Sequence, residues 1–470
     1  MATPLICFQA RQDDDWLIGL DHRRFVEQVE ERSQQLAAFI QQGSWPKILL
    51  MEPDPIAFLA GFLAAAIAEC PVFLGNPNWT ETEYQTALDL AHPDLIWRDG
   101  IVSKASTVSN SRATDLFSDA KGWIMIPTGG TSGRIRFVIH TWSTLMASVQ
   151  GFRQHFQVER VHSYCVLPLY HVSGLMQFLR SFSSGGRLMV RPSKALEQEC
   201  STEFDPTEFF LSLVPTQLQR SLQTPQQAHW LARFRTVLLG GAPAWDELLK
   251  QARQHQIRLA PTYGMTETAS QIATLHPDAF LSGNSSSGTV LPHACITICD
   301  AAGQSLESNQ IGRVTIQAES LALGYYPVLF SSDAPFEVDD LGFLNRQDYL
   351  TIVGRRSHKI ITGGENVFPE EVEAAIQATN LVEDVGVVGM PDRYWGEVIV
   401  AIYRPKHGAE VKAIAPETWR FLLSRTLAKF KHPKYWIVVE QLPRNAQGKI
   451  NREQLKQIAT EQINRDPITG

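Results

Sequence analysis

The chain has 470 residues, a formal net charge of −7, and 44% hydrophobic against 19% charged residues. That is the composition of a globular protein with a large core, long enough for several domains at roughly 100–200 residues each. It carries no basic excess with which to neutralise phosphates, so nucleic acid is not an expected partner.

In chain order, Met1–Ala10 has no basic segment ahead of an apolar one and is not expected to act as a signal peptide. Phe25, Val26, Val29, Leu36, Ala37, Phe39 and Ile40 fall at helical spacing and predict a helix over 22–42. Lys47–Met51 reads as a buried strand. The most apolar run, Ile56–Ala68, is about 13 residues long, short of the roughly 20 that span a bilayer. It is predicted as a buried helix, and no membrane insertion is expected. A strand over Pro71–Leu74, a helix over Thr82–Ala91 and a strand over Leu95–Trp97 follow.

Tyr164–Leu167, Phe209–Leu213 and Thr236–Leu239 read as further strands, each ending near a Gly- or Pro-containing loop. This alternation predicts an α/β fold with a largely parallel sheet and ligands at the strand C-termini. From about residue 286 the texture changes to short β segments: Thr289–Val290, Ala294–Cys299, Gly312–Gln317 and Leu350–Val353. They predict a small β-subdomain over about 286–353. Beyond Ser357, a helix over 369–378, strands over 385–388 and 398–403, a helix over 416–428 and a strand over 435–439 predict a compact α+β unit. The expected division is 1–356 and 357–470, with Asn464–Gly470 fraying.

Six cysteines, Cys7, Cys70, Cys165, Cys200, Cys295 and Cys299, include no CxxC pair. Cys295 and Cys299 could suggest a metal site, but no Cys/His cluster accompanies them. Reduced thiols in a cytoplasmic protein are the expected state.

The densest chemistry lies in Ile124-Met125-Ile126-Pro127-Thr128-Gly129-Gly130-Thr131-Ser132-Gly133-Arg134-Ile135-Arg136. Glycines let a backbone approach phosphate and expose its N–H groups. Thr128, Thr131 and Ser132 add hydroxyl donors, and Arg134 and Arg136 add fixed charge in bidentate geometry. The segment is not a Walker A loop, which needs Lys and a hydroxyl after its last Gly. A plain surface loop is the competing reading.

This segment resembles the phosphate loop of the adenylate-forming superfamily, whose members include acyl- and aryl-CoA ligases, luciferases and peptide-synthetase adenylation domains. Gly129, Ile135 and Arg136 depart from that family's usual Ser, Pro and Lys. Further segments are similar to the family in the same order. Leu167–Gly174 places His171 at the acyl pocket. Gly240-Gly241-Ala242-Pro243 is implied to lie against adenine. Thr262-Tyr263-Gly264-Met265-Thr266-Glu267-Thr268 is implied to pack Tyr263 on adenine, bring Thr266 to the α-phosphate and offer Glu267 to Mg²⁺. A hard oxygen ligand beside phosphates is what Mg²⁺ prefers. Asp340, two residues before Gly342, is implied to hold the ribose, with Arg355 reaching ribose or phosphate. Ser357 falls at the family's hinge, where Asp or Lys is common. Gly363-Gly364 is implied to face the site during thiol transfer, and Lys449, within Pro443–Ile450, to be the catalytic lysine.

The resemblance therefore implies a large N-terminal domain with α/β sheets and a small β-subdomain, plus a small mobile α+β C-terminal domain. It implies ATP, Mg²⁺ and coenzyme A acting on a small-molecule carboxylic acid. Within the family, Ser212–Leu218, Leu239–Pro243 and Tyr263–Leu275 resemble the members that act on an acid with an aromatic ring and two carboxylates, and that resemblance implies such a substrate here. His171, Ser270 and Thr274 are its candidate contacts, because hydroxyls can bind a carboxylate without the desolvation cost of a buried Arg. Another acyl- or aryl-CoA ligase, an adenylation domain, or a non-catalytic homologue are the alternatives. The chain's end about 20 residues beyond Lys449 leaves no carrier domain expected, and Glu267, Asp340 and Lys449 are all present. Oligomeric state is not legible.

Overall fold

Short apolar runs become buried strands here, and the helices between them close over both faces. The computed structural model describes all residues except 1, 105–119, 130–134, 193–195, 197–203, 332–334, 407–413, 445–448 and 466–470. The helix Pro55–Ile67 illustrates the local logic. Asp54 caps its first turn by accepting from the Ala57 N–H at 3.0 Å, and Pro55 needs no partner at that position. Residues Ile56–Ala66 are all buried, so this helix lies between layers rather than on a surface.

Two eight-stranded sheets form the larger part. In the first, the strands run in the order Leu17–Ile18, Leu188–Val190, His162–Cys165, Phe209–Leu213, Thr236–Leu239, Leu259–Met265, Ser270–Thr274 and Thr289–Val290. It is parallel up to Leu259–Met265 and antiparallel beyond. In the second, the order is Val328–Leu329, Gly324–Tyr325, Ile135–His140, Ile124–Gly129, Val72–Leu74, Ile48–Leu50, Leu95–Arg98 and Ile101–Lys104. One continuous core, including Phe58, Phe62, Phe178 and Phe182 from the helices Pro55–Ile67 and Val172–Ser184, joins the two sheets.

A four-stranded antiparallel sheet follows, in the order Ala294–Cys299, Gly312–Ala318, Phe336–Leu344 and Leu350–Arg355. It differs from the sequence-based grouping over 286–353. Thr289–Val290 pairs with Ser270–Thr274 in the first large sheet, and Gly324–Tyr325 pairs with Ile135–His140 in the second. Short β segments carry no local mark of their partner, so proximity in sequence misgroups them. The strand Phe336–Leu344, which holds Asp340, was not among the predicted segments.

The 3-10 turn Arg356–His358 leads into the last sheet, built from Ile360–Thr362, Glu365–Val367, Val382–Asp392, Gly396–Pro405 and Tyr435–Val438. The helix expected over 416–428 ends at Leu423, with a 3-10 turn at Lys429–Lys431. Helices Pro369–Ala378 and Pro416–Leu423 cover one face of this sheet. Arg452–Arg465 covers the other through Leu455 and Ala459.

Four histidines, His140, His155, His171 and His293, have their pKa lowered to about 4, in each case first by burial. Each stays neutral in the fold but gains a proton on unfolding near pH 6.5. The unfolded state therefore binds more protons below that pH, and stability falls as pH drops from about 6.5 towards about 4. Thermal unfolding midpoints measured across that window should decline steadily. A flat profile would contradict the burial of these rings.

Candidate active site

The site begins at a β-hairpin. Ile124–Gly129 and Ile135–His140 pair antiparallel with Thr128 opposite Arg136. Gly130, Thr131, Ser132 and Gly133, and Arg134 with them, lie outside the described residues. The sequence reading carried the segment from strand to loop and left Ile135–His140 unassigned, but this stretch is a strand. It reaches the reacting centre at both ends. The Arg136 guanidinium lies over the Tyr325 ring at 4.3 Å. The Tyr325 hydroxyl donates to Glu267 Oε1 at 2.5 Å. Burial and then the Glu267 charge raise the Tyr325 pKa, so its proton stays in place as a donor. At the other end, His140 Nε2 lies 2.8 Å from the Thr266 carbonyl, which can only accept, so this nitrogen carries the hydrogen.

Thr266–Thr268 is a 3-10 turn, closed where the Met265 N–H donates to Thr268 Oγ1 at 3.0 Å. Ala269 and Ser270 follow with φ of 50° and 88°, a left-handed pair that costs energy for residues with a Cβ and tends to occur at functional sites. Gly264 allows the hairpin to close, because a Cβ there would sit 2.1 Å from the Ser270 carbonyl oxygen. Gly240 plays the same part beside Thr262, whose Oγ1 would lie 2.5 Å from its Cβ. Gly241, Ala242 and Pro243 continue this loop from the strand Thr236–Leu239.

Asp340, 7% exposed, accepts from the Tyr263 hydroxyl at 2.7 Å and from Arg355 Nε at 3.1 Å. Burial, then Asp340, raises the Tyr263 pKa well above the usual value. Lys449 belongs to the same electrostatic group. Its pKa is lowered by desolvation and then by Arg355, while Glu267 and Asp340 oppose the shift. His171, the N-cap of Val172–Ser184, has a buried Nε2 without a hydrogen-bond partner, and its pKa is lowered by burial and then by Lys449.

Glu267, Tyr263, Asp340, Arg355, His171 and Lys449 are thus brought together. Gly363 and Gly364 are not among them. They form the turn between Ile360–Thr362 and Glu365–Val367, where the Gly363 N–H donates to the Trp395 carbonyl at 2.8 Å. Ser357 is held by Asp339, which accepts from its hydroxyl and, at 3.2 Å, from its N–H.

The two hydroxyls expected to contact the acid stand in different surroundings. Thr274 is fully buried, and its hydroxyl accepts from Gln271 Nε2 at 3.0 Å. Ser270 Oγ and Gln271 Oε1 both accept from Arg180 Nη2 at 3.2 Å. Hydroxyls were expected there in place of a buried arginine, yet Arg180 is 2% exposed. Its guanidinium lies 4.2 Å over the Phe152 ring, its Nε has no hydrogen-bond partner, and burial lowers its pKa to about 9. Among the described residues no carboxylate pairs with it. Arg180 follows His171 on one helix, roughly 13 Å along it at 1.5 Å per residue. Sequence reasoning missed it because a lone arginine on a helix ordinarily signals a solvated face.

Among the described residues no group of three or more His, Cys, Asp or Glu could hold a metal ion. A single, nearly buried carboxylate at Glu267 suits Mg²⁺, which keeps waters and phosphate oxygens as its other ligands.

Residues 9–326 match the family of AMP-binding enzymes, and residues 371–449 match the AMP-binding enzyme C-terminal domain. The chain belongs to the AMP-binding enzyme family. A relative from Listeria monocytogenes serotype 4b, a 2-succinylbenzoate–CoA ligase, is 30% identical over 439 residues, covering 87% of this chain and 88% of its own. Among solved structures, o-succinylbenzoate CoA synthetase from Bacillus subtilis in complex with the acyl-adenylate intermediate OSB-AMP has a TM-score of 0.80 at 24% identity, covering 96% of this chain and 97% of its own. The same enzyme in complex with ATP and magnesium ion gives a TM-score of 0.76 at 24% identity, covering 92% and 93%. At these identities the two structures establish the fold.

Proposed function

We propose that the chain joins 2-succinylbenzoate to coenzyme A in two half-reactions, as in menaquinone or phylloquinone synthesis. In the first, a carboxylate oxygen of the acid attacks the α-phosphorus of ATP and pyrophosphate leaves. In the second, the coenzyme A sulfur attacks the resulting acyl-adenylate carbonyl, AMP leaves, and the thiol proton is released.

The observation that carries the substrate is Arg180. A buried cation without a carboxylate partner is costly unless a ligand supplies one. An acid with a second carboxylate supplies it, and a benzoate or fatty acid does not. The Listeria relative's name supports the same class of acid.

The remaining roles rest on family pattern and geometry together. Gly240–Pro243 and Thr262–Met265 border adenine. Asp340, whose oxygens keep lone pairs beyond those used by Tyr263 and Arg355, accepts from the ribose hydroxyls. Thr128, the loop after it and Thr266 address the phosphates. Lys449 offsets charge at the reacting centre. Mg²⁺ held through Glu267 would neutralise phosphate charge. The turn Arg356–His358 serves as the joint about which residues 357–470 reorient, so that Gly363-Gly364 replaces Lys449 for thiol transfer.

A cytoplasmic location belongs to this reading. Free Cys7, Cys70, Cys165, Cys295 and Cys299 support it, and no described helix is long and apolar enough to cross a membrane.

Incubation with ATP, Mg²⁺, coenzyme A and a panel of acids tests the proposal. AMP and thioester should form with 2-succinylbenzoate and hardly with benzoate or fatty acids. A different preferred acid would keep the chemistry and discard the substrate. No AMP with any acid would favour a non-catalytic homologue.

Tyr325→Phe should raise the Mg²⁺ concentration needed for half-maximal turnover by about tenfold, the usual scale when a hydrogen bond to a metal-binding side chain is lost. An unchanged Mg²⁺ titration would remove Tyr325 from any role in holding Glu267.

A further inference from the structure

His293 is a second buried polar group beside Arg180 to which no role has been given. It lies in the turn between the strands Thr289–Val290 and Ala294–Cys299, and its carbonyl accepts from the Glu319 N–H at 3.0 Å. It is 7% exposed, and neither ring nitrogen has a hydrogen-bond partner. Buried polar atoms are nearly always bonded, so a ring with both nitrogens unmet calls for a partner not supplied by the chain.

The ring also sits where only a glycine leaves space for it. It packs on the helix Trp142–Phe156 at Gly151, where a Cβ would fall 1.7 Å from His293 Nδ1. Phe152, the next residue, lies under the Arg180 guanidinium. Burial, followed by the Arg180 charge, lowers the His293 pKa to about 4, which places the ring within reach of that charge and leaves it neutral at pH 7. A neutral imidazole carries one N–H donor, and Arg180 has its own unmet N–H at Nε. Two buried donors near one another, with no carboxylate of the described residues bonded to either, match an acceptor with two oxygens.

We infer that His293 is a specificity-determining residue that joins Arg180 in holding the second carboxylate of the acid, its ring seated against Gly151. This rests on the reading of Arg180 above and extends it. Such a pair of donors favours an acid with a ring carboxylate beside the activated chain over one that lacks it, because the acid without it leaves both donors unmet.

The test compares 2-succinylbenzoate with 4-oxo-4-phenylbutanoate, the same molecule without its ring carboxylate, as kcat/KM with ATP, Mg²⁺ and coenzyme A. The wild type should prefer the diacid. In His293→Leu the ratio of the two kcat/KM values should fall about tenfold or more, the scale of one lost hydrogen bond to a charged group. His293→Gln, which keeps an N–H donor, should recover part of it. Gly151→Ala, which displaces the ring without altering it, should behave as His293→Leu does. The KM for ATP should stay at the wild-type value in all three. A diacid preference retained by His293→Leu, or equal losses for both acids, would overturn the role of His293 alone. A wild type indifferent to the ring carboxylate would overturn the reading of Arg180, and this one with it.

Discussion

Lys449→Ala should lower adenylate formation by about two to three orders of magnitude, the usual scale for removing one preorganised group at developing charge. Transfer from a supplied acyl-adenylate to coenzyme A should stay close to the wild-type rate. The reason is electrostatic. Lys449 shares an electrostatic neighbourhood with Glu267, Asp340, Arg355 and His171, the residues proposed to address Mg²⁺, the nucleotide and the acid. An anionic acid approaching an anionic α-phosphate needs positive charge there, whereas attack of a thiol on an already activated carbonyl does not. Pyrophosphate release and single-turnover thioester formation separate the two steps. Equal loss in both would refute the assignment.

Arg180→Met should separate activity from stability. Methionine fills a similar volume without a charge, and replacing a buried ionic group by an apolar one is often neutral or stabilising. The thermal midpoint should therefore hold or rise. The kcat/KM for the diacid should fall roughly a hundredfold, because truncating one side of a buried charge pair costs about 2–5 kcal/mol. If Arg180 were only structural, stability would fall and both acids would suffer alike. On the proposed reading, the acid's second carboxylate offsets the desolvation cost of Arg180.

The sequence was legible wherever a role depends on neighbours in the chain. Phe209–Leu213, Thr236–Leu239 and Ala294–Cys299 fold over the residues that their apolar runs predict. The helix Pro369–Ala378 starts at its proline and runs as expected. The motif Thr262–Thr268 announces its chemistry because a strand, a glycine and a tight turn must follow one another in that order. Elsewhere the local signal failed. Helix Val172–Ser184 carries Ser173, Gln177, Arg180, Ser181 and Ser184 at helical spacing, which marks an amphipathic helix with a solvated face, yet it is buried continuously from Gly174 to Phe182. Strand Ile135–His140 was hidden behind the phosphate-loop pattern that it completes.

The segments proposed to bind the nucleotide were legible in the sequence alone, since they are short and contiguous. The group proposed to hold the acid's second carboxylate was decided only by tertiary structure. Gly151, Arg180, Ser270 and His293 come from four separate segments, and nothing near Arg180 in the chain says that it is buried. Burial is set by what packs against a residue, and a charge becomes a binding group only when that packing removes its water and leaves its partner to the ligand.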